Sequence, residues 1–216
     1  MTLMGRFTRP LAAMLTLLPA AARGEPPDAK ASGAWKPAAY LDAYYQSGTS
    51  GYLVPTVFLD REPWHLEARY NYEDFDTASL FVGYGFSFGG EENYLTLRPM
   101  VGGLFGNVNG VAPGLEVDAR WKRLTYWLES EYVFDFKDSS SNYLYTWSEL
   151  YFNVLDWLWI GGSLERLKVV KSPTEVDVGP MVGFGKPGSP GWSLSFYAYG
   201  LTRSDPQFLA TLAVQF

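Results

Sequence analysis

The sequence contains no cysteine, and His65 is the single histidine among its 216 residues. Without cysteine we expect neither a disulfide framework nor a lipid anchor attached through a thiol. A single histidine also excludes Cys/His clusters with metal-ligand spacing, and it leaves a Ser–His catalytic pair only one possible base. We therefore expect no cofactor, no metal site and no enzymatic activity.

The chain also lacks a hydrophobic run of the roughly 18 residues that a transmembrane helix needs. The apolar run from Leu11 to Leu18 is far too short to cross a bilayer; it follows Arg6 and Arg9 and precedes several small residues. A charged start, a short apolar stretch and small residues are typical of a secretory signal peptide. We predict a signal peptide over residues 1–22, with cleavage after Ala22.

Basic residues are the minority among the charged ones. The chain has 17 Lys and Arg against 23 Asp and Glu, a net charge of −6. An acidic balance of this kind argues against nucleic acid as a partner.

The residues after the signal divide into a linker and a longer alternating region. Residues 23–37 are rich in Pro, Ala and Lys and show no periodicity, which indicates a periplasmic linker. From 38 to 216, apolar and polar residues alternate and are interrupted by turn residues. The pattern leaves open whether the linker plugs the following domain or binds a partner.

The last nine residues form one strongly alternating strand. Its apolar face carries Phe208, Ala210, Leu212, Val214 and Phe216, and the chain stops on that last aromatic residue. The strand closely resembles the C-terminal strand of bacterial outer-membrane β-barrels, in which a terminal Phe on the lipid face is the recognition signal for membrane assembly. The resemblance implies that Phe208, Leu212, Val214 and Phe216 form this signal, with outer-membrane lipid and the barrel-assembly machinery as partners.

The abundance of aromatic residues favours the same class. Aromatics make up 17% of the chain, with 8 Trp, 15 Tyr and 14 Phe. A small soluble domain could not easily bury so many rings, whereas a membrane barrel places them in two girdles at the interfaces. We therefore expect the mature protein to be an integral protein of the Gram-negative outer membrane.

The fold prediction is an all-β, closed antiparallel transmembrane β-barrel over residues 38–216. Twelve strands put both termini on the periplasmic side, and an even number is usual for such barrels. Ten is the alternative, because Pro55 removes a ladder donor from segment 51–59. The predicted strands are 38–47, 51–59, 64–73, 78–89, 93–106, 111–122, 124–136, 142–155, 157–169, 175–186, 192–203 and 207–216.

Alternation also separates the two faces of the barrel. A charge facing lipid near the midplane costs about 2–4 kcal/mol for Arg or Lys, so the charged positions of the strands should face the interior. These positions are Asp42, Glu67, Arg69, Arg98, Glu116, Asp118, Arg120, Glu129, Glu131, Glu149, Glu165 and Asp177. In strand 157–169 the faces conflict, because Trp157, Trp159 and Glu165 share one face; a bulge at Gly161-Gly162 would resolve the conflict.

Three functions are compatible with this interior. An Arg–carboxylate network, bridged by Arg98 and Arg120, would fill a closed structural or interaction barrel. An acidic, water-containing interior would instead form a narrow passive channel for small cations or neutral solutes, of unknown identity. The third is enzymatic: a catalytic carboxylate pair, such as Glu116 and Glu129, which should lie opposite each other, or an outer-membrane lipid-modifying enzyme. We favour the channel, with Glu116, Asp118, Glu129 and Glu131 as its selectivity region.

Two further observations bear on this choice. His65 lies next to Trp64 at the predicted periplasmic rim, away from the outer leaflet where barrel enzymes act, so we expect an interface residue beside the aromatic girdle. The outer loops are short, so we expect no long loop to fold in as a large constriction. The chain resembles small twelve-stranded porins in length and layout, but it lacks the basic lumen on which anion-selective members depend.

Overall fold

A computed structural model of the protein describes residues 33–46, 50–186 and 190–216. The predicted signal peptide and most of the predicted linker lie outside these residues. Thirteen strands account for most of the described chain: β1 (Lys36–Gln46), β2 (Tyr52–Arg61), β3 (Trp64–Tyr70), β4 (Thr77–Tyr84), β5 (Phe86–Gly89), β6 (Asn93–Gly106), β7 (Gly110–Trp121), β8 (Leu124–Asp135), β9 (Tyr143–Leu155), β10 (Leu158–Val169), β11 (Thr174–Lys186), β12 (Gly191–Tyr199) and β13 (Gln207–Gln215).

The strands form one antiparallel sheet that closes on itself. Consecutive strands pair along the chain except β4 and β5, which both pair with β6. Strand β1 pairs with β13 from Ala38↔Gln215 to Gln46↔Gln207. Strand β5 continues β4 along β6 without a change of register. Gly83 pairs with Met100, and Phe86, three residues later, pairs with Leu97, three residues earlier on β6. The barrel therefore has twelve strands, as the alternation predicts.

The ten-strand alternative is wrong because β2 is a full barrel strand. Pro55 pairs with Leu41 of β1, whereas the ladder with β3 begins only at Thr56. Only one neighbouring strand is therefore paired at Pro55. A residue without an N–H group is tolerated where a ladder is absent or ends.

Connections alternate between the two ends of the barrel. The start of β1 and the end of β13 lie together, and the turns at 62–63, 90–92, 122–123 and 156–157 share that end. We call it the terminal end and the opposite one the loop end. The loop end carries a single turn of 3-10 helix, Ser139–Ser141, in the β8–β9 connection. Within the described ranges no helix is long and apolar enough to cross a membrane.

The outer surface of the barrel is apolar and is edged by aromatic rings. On β13, Phe208 and Leu212 are exposed outward and Val214 is half-exposed, and Phe216, directly after the strand, is also exposed, as the alternation predicts. Five tryptophans are exposed near the terminal end: Trp35, Trp64, Trp121, Trp157 and Trp192. Amphipathic rings of this kind are typical of the girdles of membrane barrels.

Three segments differ from their predictions. Strand 64–73 ends at Tyr70, and strand 192–203 ends at Tyr199, because Gly200 adopts a positive φ of 59°. Segment 157–169 has no bulge at Gly161-Gly162; the register shift lies at Leu158/Trp159 instead. As a result, Trp157 faces outward, while Trp159 and Glu165 face inward.

The interior is filled with aromatic side chains to a degree that the sequence did not indicate. Trp127, Trp147 and Trp159 are buried inside, as are Tyr40, Tyr44, Tyr72, Tyr94, Tyr143, Tyr145, Tyr151, Tyr197, Tyr199, Phe58 and Phe81. The expectation that the rings would be accommodated in two girdles is therefore only half correct. The rings share the interior with the charged side chains.

Candidate functional site: the charged interior

Arg69, on β3, is the centre of a buried charge cluster. Its Nη2 lies 2.8 Å from Glu67 Oε2 and 2.7 Å from Glu129 Oε1. Its Nη1 lies 3.2 Å from Glu131 Oε2 and 3.6 Å from Glu73 Oε1. All five side chains are fully buried. We call these five residues the Arg69 cluster.

Aromatic rings hold the guanidinium in place. Its central carbon lies 4.1 Å from the centroid of the Tyr72 ring and 4.3 Å from that of Phe81, which is the geometry of cation–π contacts. The Tyr72 hydroxyl donates to Glu129 Oε1 at 3.0 Å. A Cβ on Gly102 would lie 2.5 Å from the Phe81 ring, so this glycine provides the space for the ring beside Arg69.

A short turn at the loop end folds into the barrel. In the turn 71–76, Tyr72 and Glu73 are buried, and the Tyr143 hydroxyl donates to the Glu73 carbonyl at 3.0 Å. The Ser79 hydroxyl donates to Glu73 Oε1 at 2.6 Å. Burial raises the pKa of the Glu73 carboxyl above its ordinary value, although Arg69 opposes this shift. No pattern in the sequence predicts that so short a turn contributes to the interior.

A second group lies beside the Arg69 cluster, toward the terminal end. His65 Nδ1 is 2.7 Å from Asp60 Oδ1, and His65 Nε2 is 3.5 Å from Glu67 Oε2. Arg98 Nη1 bonds to Glu116 Oε2, and its Nη2 is 3.9 Å from Asp60. We call Asp60, His65, Glu67, Arg98 and Glu116 the His65 group; Glu67 belongs to both sets.

The expectation that His65 is an interface residue is wrong. Its ring is buried inside the barrel, because residues 65, 67 and 69 share one face of β3. The exposed neighbour on the outer face is Trp64. The alternation of β3, read together with the inward prediction for Glu67 and Arg69, already contained this information.

The remaining predicted residues also lie inside but farther from Arg69. Glu149 accepts hydrogen bonds from Trp147 Nε1 at 2.9 Å and from the Tyr197 hydroxyl at 3.0 Å. Asp118 accepts one from the Tyr94 hydroxyl at 3.3 Å. Asp42 is fully buried, and Glu165 is half-buried.

The predicted bridging role of two arginines is correct for one of them. Arg98 bridges to Glu116, whereas Arg120 lies over the Tyr94 ring at 5.9 Å. Arg69 is the principal bridge instead. Arg203, in the β12–β13 connection, lies 2.6 Å from Asp177 at the loop end.

The register places the two predicted facing acids as expected. Glu116 of β7 lies directly opposite Glu129 of β8. The two carboxylates bind different guanidiniums, Arg98 and Arg69 respectively. Each guanidinium offsets the repulsion between neighbouring acids, so the pair is part of a bonded network.

Two porins of known structure have the same fold. The KdgM porin, determined in complex with disordered oligogalacturonate, matches with a TM-score of 0.57 and 13% identity, over 83% of this chain and 99% of the porin. The NanC porin matches with a TM-score of 0.54 and 10% identity, over 82% of this chain and 100% of the porin. No family model and no curated protein matches the sequence.

The likeness confirms the class to which the fold belongs. The chain is a closed, antiparallel, twelve-stranded barrel that resembles small outer-membrane porins. At 10–13% identity the likeness extends to the fold alone. What this barrel does must therefore be argued from its own interior.

Proposed function

We propose that this protein is a narrow passive channel of the bacterial outer membrane for small cations or neutral solutes. The observation that carries the proposal is the imbalance of charge in the joined interior groups. Six carboxylates, those of Asp60, Glu67, Glu73, Glu116, Glu129 and Glu131, face only two guanidiniums, those of Arg69 and Arg98. Fixed negative charge in a confined space raises the local concentration of cations and repels anions.

The fold supports a channel of limited width. KdgM and NanC are porins with the same barrel architecture. Twelve strands enclose more space than an eight-stranded barrel, which side chains fill, and less than a sixteen-stranded porin. The oligogalacturonate in the KdgM structure is a polyanion, and the carboxylate excess of this barrel disfavours such a solute.

The orientation follows from the same class of fold. Both termini and the tight turns would face the periplasm, and the 71–76 turn would enter the barrel from the outside. The exposed apolar surface would contact outer-membrane lipid. Strand β13, together with Phe216 directly after it, would bind the barrel-assembly machinery.

A closed structural barrel is the second candidate, and one observation favours it. The charged side chains of the Arg69 cluster have no solvent-exposed surface, and aromatic rings pack around them. In this candidate the charge network and the rings fill the interior, and no solute passes. The carboxylates then serve to hold Arg69 and to fix the arrangement of the strands.

Flux into lipid vesicles separates the two candidates. Vesicles containing the refolded protein should take up rubidium ions and the neutral sugar arabinose. The double variant Glu129→Gln/Glu131→Gln should reduce rubidium uptake relative to arabinose. The matched control is Glu91→Gln/Glu92→Gln, which removes two charges from an exposed turn and should leave both rates unchanged. Uptake of neither solute by the wild-type protein would refute the channel and support the closed barrel.

A further inference from the structure

The His65 group brings together three potential metal ligands that lie far apart in the sequence. One donor atom each from His65, Glu67 and Glu116 lies within 4.8 Å of the other two, and all three residues are buried. His65 and Glu67 lie on one face of β3, and Glu116 is on β7. Strands β4 and β6 separate β3 from β7, so only closure of the barrel interior makes this set of donors possible.

The imidazole is oriented as it is in metal sites of proteins. Its Nδ1 is held by Asp60 Oδ1 at 2.7 Å, which directs Nε2 toward the carboxylates. A metal-bound histidine almost always uses its other ring nitrogen in this way, to bond a carboxylate, a carbonyl or water. Asp60 therefore has the position of an outer residue that fixes the orientation of the ring.

Two buried atoms of the group that could bind a metal ion have no hydrogen bond within the described part of the chain. These are His65 Nε2, on a side chain that is 3% exposed, and Glu67 Oε1. Glu67 Oε2 is already bonded to Arg69 at 2.8 Å, so Oε1 is the oxygen left for a ligand. Buried polar atoms without a hydrogen bond are uncommon and often indicate an ion or water.

We propose that His65, Glu67 and Glu116 bind one Zn²⁺ ion inside the barrel, with Asp60 as the residue that orients His65. Imidazole nitrogen and carboxylate oxygen are both zinc ligands, and a site with three protein ligands keeps the fourth position open. Zinc–ligand bonds of about 2.0–2.2 Å place tetrahedral ligands roughly 3.3–3.6 Å apart. The three donor atoms lie within 4.8 Å of one another, so an inward shift of about 1 Å brings them to this spacing. The hard ions Ca²⁺ and Mg²⁺ prefer all-oxygen sites, which disfavours them here.

The surrounding charge allows a dication at this position. Arg98 bonds to Glu116 and lies 3.9 Å from Asp60, so its charge opposes a metal ion. The joined groups hold six carboxyl groups and two guanidiniums, and Zn²⁺ would offset part of this excess of acids. The bound ion would tie β3 to β7 and thereby cross-link the barrel wall.

Titration of the metal-free, refolded full-length protein with Zn²⁺ alone, followed by calorimetry, tests the site. We expect saturation at one ion per barrel and a rise in the temperature of heat-induced unfolding. His65→Gln and Glu67→Gln should each weaken binding by more than tenfold, and Asp60→Asn by about 10–100-fold. Glu165→Gln, which removes an interior carboxylate outside the group, should bind zinc as the wild type does.

Two results would overturn the proposal. One is the absence of saturable binding, and the other is binding that His65→Gln and Glu67→Gln leave unchanged. If His65→Gln fails to fold, zinc X-ray absorption of the wild type decides: imidazole scattering supports the site, and an all-oxygen shell refutes it. Because no readout involves conduction, a barrel that conducts nothing can still satisfy the test.

Discussion

At the scale of single residues, Arg69 is the cation around which four buried acids of the interior pack. It contacts four carboxylates and two aromatic rings and has no solvent-exposed surface. Removing one partner of a buried ion pair costs far more than removing an exposed pair, because the remaining charge stays buried without compensation. The stability of the barrel should therefore depend on this residue more than on the other interior arginines.

Arg69→Met tests this dependence. We expect the free energy of unfolding, measured by urea titration in detergent or lipid, to fall by about 3–5 kcal/mol. The control is Arg120→Met, because Arg120 is half-buried and lies over Tyr94 at 5.9 Å. Its loss should cost less than about 1 kcal/mol. Equal losses in the two variants would contradict the central position of Arg69.

Glu73 predicts a pH dependence of stability. Its pKa is raised in the folded protein by burial, so the folded state holds the proton more tightly than the unfolded state does. The contribution of Glu73 to the free energy of unfolding is complete below the ordinary pKa of glutamate. It is lost as the pH rises through the pKa of Glu73 in the folded protein. Glu73→Gln stays neutral, so it should gain stability over the wild type as the pH rises from 4 to 9. A constant difference across this range would refute the raised pKa.

Asp138, in the exposed β8–β9 connection, predicts a pH dependence of stability opposite to that of Glu73. The Ser140 hydroxyl and backbone N–H donate to its Oδ1 at 2.7 and 2.9 Å, and they lower the pKa of the carboxyl. This contribution is present above the ordinary pKa of aspartate and is lost as the pH falls. Asp138→Asn should therefore destabilise the protein at neutral pH and not at low pH. Urea titration over the same pH range gives the comparison, and an equal effect at both pH values would contradict it.

Residue-scale predictions from the sequence succeeded where they depended on alternation alone. The inward direction of Glu116, Glu129 and Glu131 follows from a period of two. The identity of each acid's partner does not follow from this period, because Arg69 reaches β8 across the interior from β3. Such contacts depend on the curvature of the closed sheet, and no spacing in the sequence encodes that curvature. The proximity of His65, Glu67 and Glu116 was missed for the same reason.

At the scale of elements, β13 completes the barrel by pairing with β1 and β12. Phe216 is 64% exposed on the outer face, and its N–H donates to the Pro37 carbonyl at 3.1 Å. The alternation of β13 is the basis for the proposal that the strand acts as an outer-membrane assembly signal. Its last residue should therefore matter more for insertion than an equally exposed ring elsewhere.

Phe216→Asp should give poor insertion into the outer membrane and degradation in the periplasm. The readout is the level of heat-modifiable protein in the membrane fraction of a Gram-negative host. Phe136→Asp is the matched control, because Phe136 is an exposed ring beyond the end of β8, at the loop end. The control should insert. Normal insertion of Phe216→Asp would contradict the assembly role of the last strand.

Element boundaries were predictable where turn residues mark them. Prediction and structure agree at the turn between Trp121 and Leu124, where Lys122 adopts a positive φ of 55°. They disagree after Tyr70, because the turn 71–76 continues the alternation of β3 while its backbone leaves the sheet. Its Tyr72 and Glu73 then point into the barrel, and only packing against Tyr143 and Arg69 explains that direction.

At the scale of the whole molecule, closure was predictable and the contents of the barrel were not. An even number of alternating strands with both ends of the sheet paired leaves no open edge, which lipid would not tolerate. The sequence does not distinguish a ring in an outer girdle from a ring inside. Trp157 and Trp159 illustrate this point, since a register shift at Leu158/Trp159 separates them to opposite faces.

The central claim is that the excess of interior carboxylates makes this barrel a cation-preferring channel. The most direct test is the reversal potential of the wild-type protein in a planar bilayer under a potassium chloride gradient. We expect a measurable conductance and a potential whose sign shows preference for potassium over chloride. A potential with the sign of chloride preference, or the absence of conductance in a folded and inserted barrel, would contradict the account.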